Sequence, residues 1–309
     1  MMELSKKIIE QYQIRKTGKQ KKAFREMLMR ELKNMGVEAR EEKYKDLLGS
    51  VNVVAGDVEK AEIIFGAHYD TCPRMIFPNF ITPKNSLIYY GYQMMIVAAM
   101  LLVSYIPAIP VSMAADGRSV YLTWYFAYLA LVVLLMKGPA NRHTMNDNTS
   151  GVVTMVELMA KTPEELRTRC AFVFFDNEEM GLVGSGAFRA KHKKQAKNTP
   201  MVNLDCVGDG EYFLLAGSKA FLADERLTGA VKSAFGDGEN VLYSEQEKTV
   251  YPSDQKKFGK SMAVAALHKG KKVGYYMNRI HTDKDTVLKE ENVQRIADAL
   301  SEMAGAYLK

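Results

Sequence analysis

Phe174–Ser185 reads FFDNEEMGLVGS, an apolar run that ends on two adjacent carboxylates, Glu178 and Glu179, and then on glycines. Together with the preceding residues it forms CAFVFF, Cys170–Phe175, which has the length and unbroken apolar character of a strand buried on both faces. An acid pair at the end of such a strand is unusual, because burying one unpaired charge costs several kcal/mol on an order-of-magnitude scale. Either the pair faces water in a turn, as most acids do, or positive charge is waiting for it.

The pattern of an apolar run followed by a polar group recurs on both sides of this stretch. Ala61–Ala67 stops at His68, with Asp70 two residues on, and Pro200–Val207 carries Asp205. Helical and strand-like segments alternate around them. Helices are predicted over Thr149–Lys161, Gly184–Lys194, Asp224–Phe235 and Glu290–Leu308, and strands over Tyr212–Ala216 and Ser261–Leu267. Earlier in the chain, Leu4–Met35 reads as two helices interrupted near Lys16–Lys21 and ending at Gly36, followed by strands Val37–Tyr44 and Ser50–Ala55. The expected fold class is α/β, with a mixed, mostly parallel sheet covered by helices on both faces. In such sheets ligands bind beyond the carboxyl ends of the strands, which is where these polar groups fall. No internal repeat or low-complexity linker divides the soluble part.

Two stretches break the pattern. Ser86–Ile106 has no charged residue, nor has Ser119–Met136, and between them only Asp116 and Arg118 are charged. As helices they would span about 31 and 27 Å, close to the thickness of a bilayer's hydrocarbon core. Tyrosines and Trp124 crowd their ends, as in membrane-interface belts, and Pro107 and Pro110 should end the first helix. Packed as a lid or interface on a soluble protein they would expose a very large apolar patch, so residues 85–136 are expected to form an inserted transmembrane hairpin that contacts the bilayer through 86–136. Residues 1–84 and 137–309 then form one discontinuous domain on a single side. Arg74, Lys84, Lys137 and Arg142 flank the hairpin against a lone Arg118 in the far loop. That bias predicts a cell-membrane protein with two spans and its main body facing the cytoplasm.

Composition narrows the function classes. The 309 residues are 47% hydrophobic and 25% charged, ordinary for a folded chain, and 42 Lys and Arg against 36 acids leave a mild net charge of +6. Basic and acidic residues are interleaved and no nucleic-acid motif occurs, so no nucleic-acid partner is expected. Cys72, Cys170 and Cys206 are odd in number and sit in or beside apolar runs, which suits buried thiols in a reducing compartment. The charged N-terminus lacks the apolar core of a secretory signal, so export is not expected.

His68, Asp70, Glu178, Glu179 and Asp205 share the strand-end position, and Asp147 at a helix start and His281 in RIHTDKDT join them. Each alone has an ordinary explanation: an N-cap for Asp147, a turn for Asp205, a solvated acid for Asp70. Two histidines with several carboxylates at one sheet edge suit divalent zinc or a similar metal, and the donor count suits two ions sharing one carboxylate.

GAHYDT, NDNTSG, NEEMGLVGS, NLDCVG and HTDKDT, in this order, resemble the ordered motifs of the zinc aminopeptidase and glutamate carboxypeptidase family, which is also related to glutaminyl cyclases. The resemblance spans nearly all of the soluble chain. It implies two zinc ions per chain, with Asp147 bridging them, His68 and Asp205 completing one site, and Glu179 and His281 the other. Cobalt or manganese would also suit these ligands. Asp70 would orient His68, and Glu178 would be the general base toward a metal-bridging water. Glu178 and Asp205 would anchor a substrate's free α-amine, and the Asp147–Asn148 bond is a candidate cis peptide.

The chain departs from the family pattern at three places. Ile280 stands where many relatives have a tyrosine that donates to the developing oxyanion, with Tyr275 or Tyr276 as substitutes. The hairpin fills a normally short connection. YPSDQKKF, Tyr251–Phe258, resembles a loop near the family's substrate pocket, with Gln255 where histidine is frequent, and an exposed turn is an equal alternative. The expected activity is that of a membrane-tethered di-zinc aminopeptidase acting on peptides. A glutaminyl-cyclase-like acyl transferase, a carboxypeptidase, or a catalytically silent membrane scaffold or receptor are the alternatives.

Overall fold

In the computed structural model, which describes residues 1–309, the buried apolar runs become the strands of one sheet. The strands are β1 (Ala39–Lys43), β2 (Val51–Ala55), β3 (Ile63–His68), β4 (Cys170–Phe175), β5 (Met201–Leu204), β6 (Tyr212–Gly217), β7 (Val241–Glu245), β8 (Ser261–Gly270) and β9 (Gly274–Tyr276). Their order is β1-β2-β4-β3-β5-β8-β6-β7, with β9 paired to β8. β4, β3, β5 and β8 run parallel, whereas β1 and β2 at one edge, and β6 against β8, are antiparallel. β7, at the other edge, runs parallel to β6, so the mixed sheet has a parallel centre joined by antiparallel pairings to β2 on one side and to β6 on the other.

Strand alternation sends successive side chains to opposite faces. Phe65 and Ala67 of β3 and Phe172 and Phe174 of β4 join the larger core, with residues of helices Gly151–Lys161, Glu225–Phe235, Glu290–Leu308 and the two N-terminal helices. Phe65 stacks on Phe172 with centroids 5.4 Å apart. Ile64, Val173 and Phe175 face the other way and pack on Phe188 and Ala196 from helices Val183–Lys191 and Lys193–Asn198. Helices thus cover both faces. Each fully buried Phe contributes about 1.5–3 kcal/mol by transfer from water, and the central strands β3 and β4 are buried throughout.

Three local departures have physical causes. The helix expected over Gly184–Lys194 breaks at His192, whose ring is held by Glu59 at 2.9 Å and Glu42 at 3.0 Å, and resumes as Lys193–Asn198. The helix expected from Thr149 starts at Gly151, because Asp147 and Asn148 in the preceding turn have non-helical backbone angles. Strands β7 and β9 escaped the reading of the sequence, since they are short and mostly half-buried.

The uncharged stretches form helices Ser86–Tyr105 and Gly117–Lys137, joined through a short helix Ala108–Ser112. Asn85 and Asp116 cap them, accepting from the Ile88 and Ser119 amides. Trp124 Nε1 donates to the Leu101 carbonyl at 3.1 Å, so the two helices pack on each other. Both are long and apolar enough to cross a membrane, and neither is buried in the body of the protein.

Candidate metal centre

Three parallel strands deliver the site at their carboxyl ends. β3 ends on His68, β4 leads through Asp176 and Asn177 to Glu178 and Glu179, and β5 leads to Asp205. Asp147 arrives on the turn before helix Gly151–Lys161, and His281 on the loop between β9 and the last helix. His68, Asp147, Glu178, Glu179, Asp205 and His281 line one cavity of ≈ 250 Å³, together with Asn79, Ile81, Leu182, Tyr251 and Ile280. A larger surface trough of ≈ 680 Å³, lined by Arg189, Lys193, Lys197, Lys256 and Lys257, contains none of these carboxylates or histidines.

The geometry separates into two halves joined by Asp147. His68 Nε2 lies 3.3 Å from Asp147 Oδ1 and 3.7 Å from Asp205 Oδ1. His281 Nε2 lies 3.1 Å from Asp147 Oδ2 and 3.3 Å from Glu179 Oε2. Donors about 2.0–2.1 Å from a tetrahedral zinc are about 3.3 Å from one another, so each half has the spacing of a ligand set, and Asp147 offers one oxygen to each. The donors also lack other partners: Glu179 Oε1 and His281 Nδ1 are buried without a hydrogen bond. His68 Nδ1 lies 3.1 Å from the Asp70 carbonyl, which can only accept. That contact puts the ring proton on Nδ1 and frees Nε2 as a donor of electrons.

Burial pushes Glu178 well above the usual carboxylate range, and the charges of Asp254, Asp205 and Glu179 push it further. Glu179 moves the same way through burial and the Asp147 charge. Burial also works against ionised Asp147, yet hydrogen bonds to His281 and His68 hold it below the usual range. Burial would lower His68, but the Glu178 charge and the Asp147, Asp205 and Asp70 carboxylates raise it. So many buried carboxylates around two histidines form a cluster short of positive charge, the environment in which a divalent cation is favourable.

Asp70 stands behind the cavity. Its carboxylate accepts from the Glu178 amide at 3.0 Å and the Glu179 amide at 3.3 Å, while Oδ1 is 3.6 Å from His68 Nδ1. It therefore fixes the acid pair at least as directly as it orients His68. The Asp147–Asn148 peptide is cis. The non-glycine residues with positive φ are Asn177, Leu182, Cys206 and His281, each a site residue or within three positions of one. Left-handed backbone at such residues costs energy and clusters at functional sites.

Several supports were not singled out in the sequence. Asp285, in the quoted HTDKDT, accepts from the Asn146 amide at 2.7 Å and the Asp147 amide at 3.1 Å, and burial beside Asp147 pushes it up to about 8. Asn148 Nδ2 donates to the Leu204 carbonyl at 2.9 Å, and its Oδ1 accepts from the Cys206 amide at 3.2 Å, fastening the Asp147 turn to the end of β5. Arg15, fully buried, reaches the Tyr69 carbonyl and the Thr149 hydroxyl, tying the His68 and Asp147 loops together. Asp254 is buried in the Tyr251–Phe258 loop with both oxygens unpaired, and burial raises it to about 7. That loop is not an exposed turn. Tyr275 packs on Tyr212 and Tyr276 on Phe80, and neither lines the cavity. Tyr251 lines it, but its hydroxyl donates to the Asp205 carbonyl at 2.9 Å.

Residues 130–304 match the family described as peptidase family M28, which covers more than half of the chain. The chain belongs to peptidase family M28. Members are zinc-dependent peptidases, in keeping with the donor set above. Among solved structures, the fold resembles a Zn-dependent exopeptidase from Parabacteroides distasonis, at 15% identity and TM-score 0.57, covering 97% of this chain and 96% of that one. It also resembles the Tannerella forsythia glutaminyl cyclase (14%, TM-score 0.59, 97% and 96%). A third likeness is to the Legionella pneumophila LapA aminopeptidase (15%, TM-score 0.54, 98% and 68%). No curated protein matches the sequence. At such identities the likeness to solved structures establishes the fold alone, and the M28 assignment rests on the family match.

Proposed function

We propose that this M28 peptidase is a di-zinc aminopeptidase, tethered to the membrane by residues 85–136 with the domain built from 1–84 and 137–309 in the cytoplasm. The observation that carries the reading is the placement of Asp147, with one carboxylate oxygen 3.3 Å from His68 and the other 3.1 Å from His281. His68, Asp147 and Asp205 would hold one ion and His281, Asp147 and Glu179 the other; cobalt or manganese would fit the same donors. Bound there, the ions would lower the pKa of the attacking water and polarise the scissile carbonyl.

The chain's own groups carry the rest. Glu178, buried and surrounded by carboxylates, has the raised proton affinity of a general base and passes the water's proton to the leaving amine. Asp70 holds the Glu178 and Glu179 amides, and Asp285 holds the amide of Asp147. A substrate α-amine is anchored by Glu178 and Asp205, both on the cavity wall. A cavity of ≈ 250 Å³ accommodates a terminal residue rather than a long stretch of peptide, which favours cleavage at an end. Tethering is supported by the two long apolar helices, and the orientation by the flanking Arg and Lys residues.

The test uses detergent-purified, zinc-loaded protein with aminoacyl chromogenic substrates. Turnover that is lost in Glu178→Gln while metal is retained supports the proposal. Absence of turnover, or an unchanged Glu178→Gln variant, overturns it, and release of ammonia from peptides beginning with glutamine would assign the cyclase reaction instead. Protease shaving of intact spheroplasts tests the side, since prompt cleavage of the domain from outside contradicts the cytoplasmic placement.

A further inference from the structure

Two apolar side chains outside the hairpin are almost wholly exposed: Leu47 at 97% and Ile76 at 98%. Single exposed apolar residues are ordinary, but these two lie on loops at the hairpin's roots. Ile76 belongs to the segment in which the Arg74 amide donates to the Pro139 carbonyl at 2.8 Å, joining it to the chain just past the second long helix. Leu47 is next to Leu48, which lines a cavity of ≈ 280 Å³ with Met136 and Lys137 at the end of that helix. The Leu47 loop is held in shape by Asp46, whose Oδ1 accepts from the Leu48 amide at 2.8 Å and the Ser50 amide at 3.2 Å. Exposed Lys45 stands two residues before Leu47, and exposed Lys137 lines that cavity with Leu48.

The metal-centre cavity lies beside these loops. Asn79 and Ile81, just ahead of the first long helix, form part of its wall. The cavity beside Leu48 and Lys137 shares Glu179 with it. Exposed apolar tips rimmed by lysines match the chemistry of an anionic lipid surface, with the tips entering the headgroup layer and the lysines meeting its negative charge.

We propose that the loops carrying Leu47 and Ile76 form a second membrane contact, separate from the hairpin, which seats the mouth of the metal-centre cavity in the headgroup layer. The inference rests on the hairpin reading, because the hairpin fixes which edge of the sheet faces the bilayer.

The native cysteines are all buried, so single cysteines introduced by Leu47→Cys, Ile76→Cys, Met95→Cys and Lys219→Cys can be labelled selectively with an environment-sensitive fluorophore. The full chain is then reconstituted in vesicles of phosphatidylcholine and phosphatidylglycerol carrying spin labels at shallow or deep acyl positions. Contact at a depth of about 5–10 Å predicts blue-shifted emission at positions 47 and 76, quenched by shallow labels more than deep ones. Position 95, midway along the first long helix, should be quenched by the deep labels, and position 219, at the opposite end of the sheet, by neither. Water-like, unquenched emission at 47 and 76 with deep quenching at 95 overturns this inference and leaves the hairpin standing. Lack of quenching at 95 overturns the hairpin, and shallow quenching at 47 and 76 would still establish the loop contact.

Discussion

Replacing Arg15 with methionine should unfold the protein at a markedly lower temperature and weaken its site without touching any proposed metal ligand. The guanidinium is fully buried and donates to the Tyr69 carbonyl at 2.5 Å, to the Tyr12 carbonyl at 2.5 Å and to the Thr149 hydroxyl at 3.1 Å, while lying 5.3 Å above the Phe24 ring. Burial lowers its pKa to about 10, opposed by the charges of Asp70 and Asp147, so it stays charged at neutral pH. Methionine would fill much of the volume but leave two carbonyls unpaired at about 1–3 kcal/mol each. It would also remove a cation from beside two carboxylates. A loss of about 3–5 kcal/mol is expected, as for one partner of a buried charge network. With about 2–4 °C per kcal/mol in a domain of this size, Tm should fall by at least about 6 °C, read by circular dichroism of detergent-purified protein. Arg15→Lys keeps the charge but cannot reach all three acceptors, so it should recover only part of the loss. A Tm within about 1 °C of wild type for Arg15→Met would refute the view that this side chain ties the His68 and Asp147 loops together.

Glu178→Gln should lower kcat by about 10²–10⁴, the usual worth of general-base catalysis, with zinc content unchanged in elemental analysis; loss of the metal would instead make Glu178 a ligand. Asp285→Ala should raise the zinc concentration needed for half-maximal activity about 10–100-fold, typical of groups that hold ligands in place, and an unchanged zinc titration would exclude that role. His192 is raised first by its hydrogen bond to Glu42, against burial, and further by Glu59. Its contribution to stability is therefore complete below its ordinary value and is lost as pH rises through the raised one. The Tm difference between wild type and His192→Gln should be largest near about pH 6 and shrink toward about pH 9; a gap that widens with pH would reverse the sign. In vesicles, a peptide anchored by a C-terminal acyl chain should be cleaved faster than the same free peptide, and equal rates would count against presentation at the membrane surface.

The parts of the site that could be read from the chain are those with strong local contrast. Glu178 and Glu179 follow closely on an apolar strand, and His68 ends one. The hairpin is legible because its charge silence is long. Arg15 could not be found this way, since it stands in the basic run IRKTGKQKK, where burial of one cation among several exposed ones is a tertiary fact. Asp285 and Asp254 have polar neighbours and look like turn residues until the fold buries them. β7 and β9 are short strands with a single partner each, where half-burial erases the apolar signal. The helix break at His192 depends on Glu42 and Glu59, more than a hundred residues away in sequence.

Zinc stoichiometry decides whether Asp147 joins two sites. Protein saturated with zinc and freed of excess by gel filtration should contain about two zinc ions per chain by elemental analysis, and Asp147→Ala, which removes a donor from both halves at once, should retain close to none. One ion per chain in the wild type, or two ions retained in Asp147→Ala, would contradict a shared carboxylate.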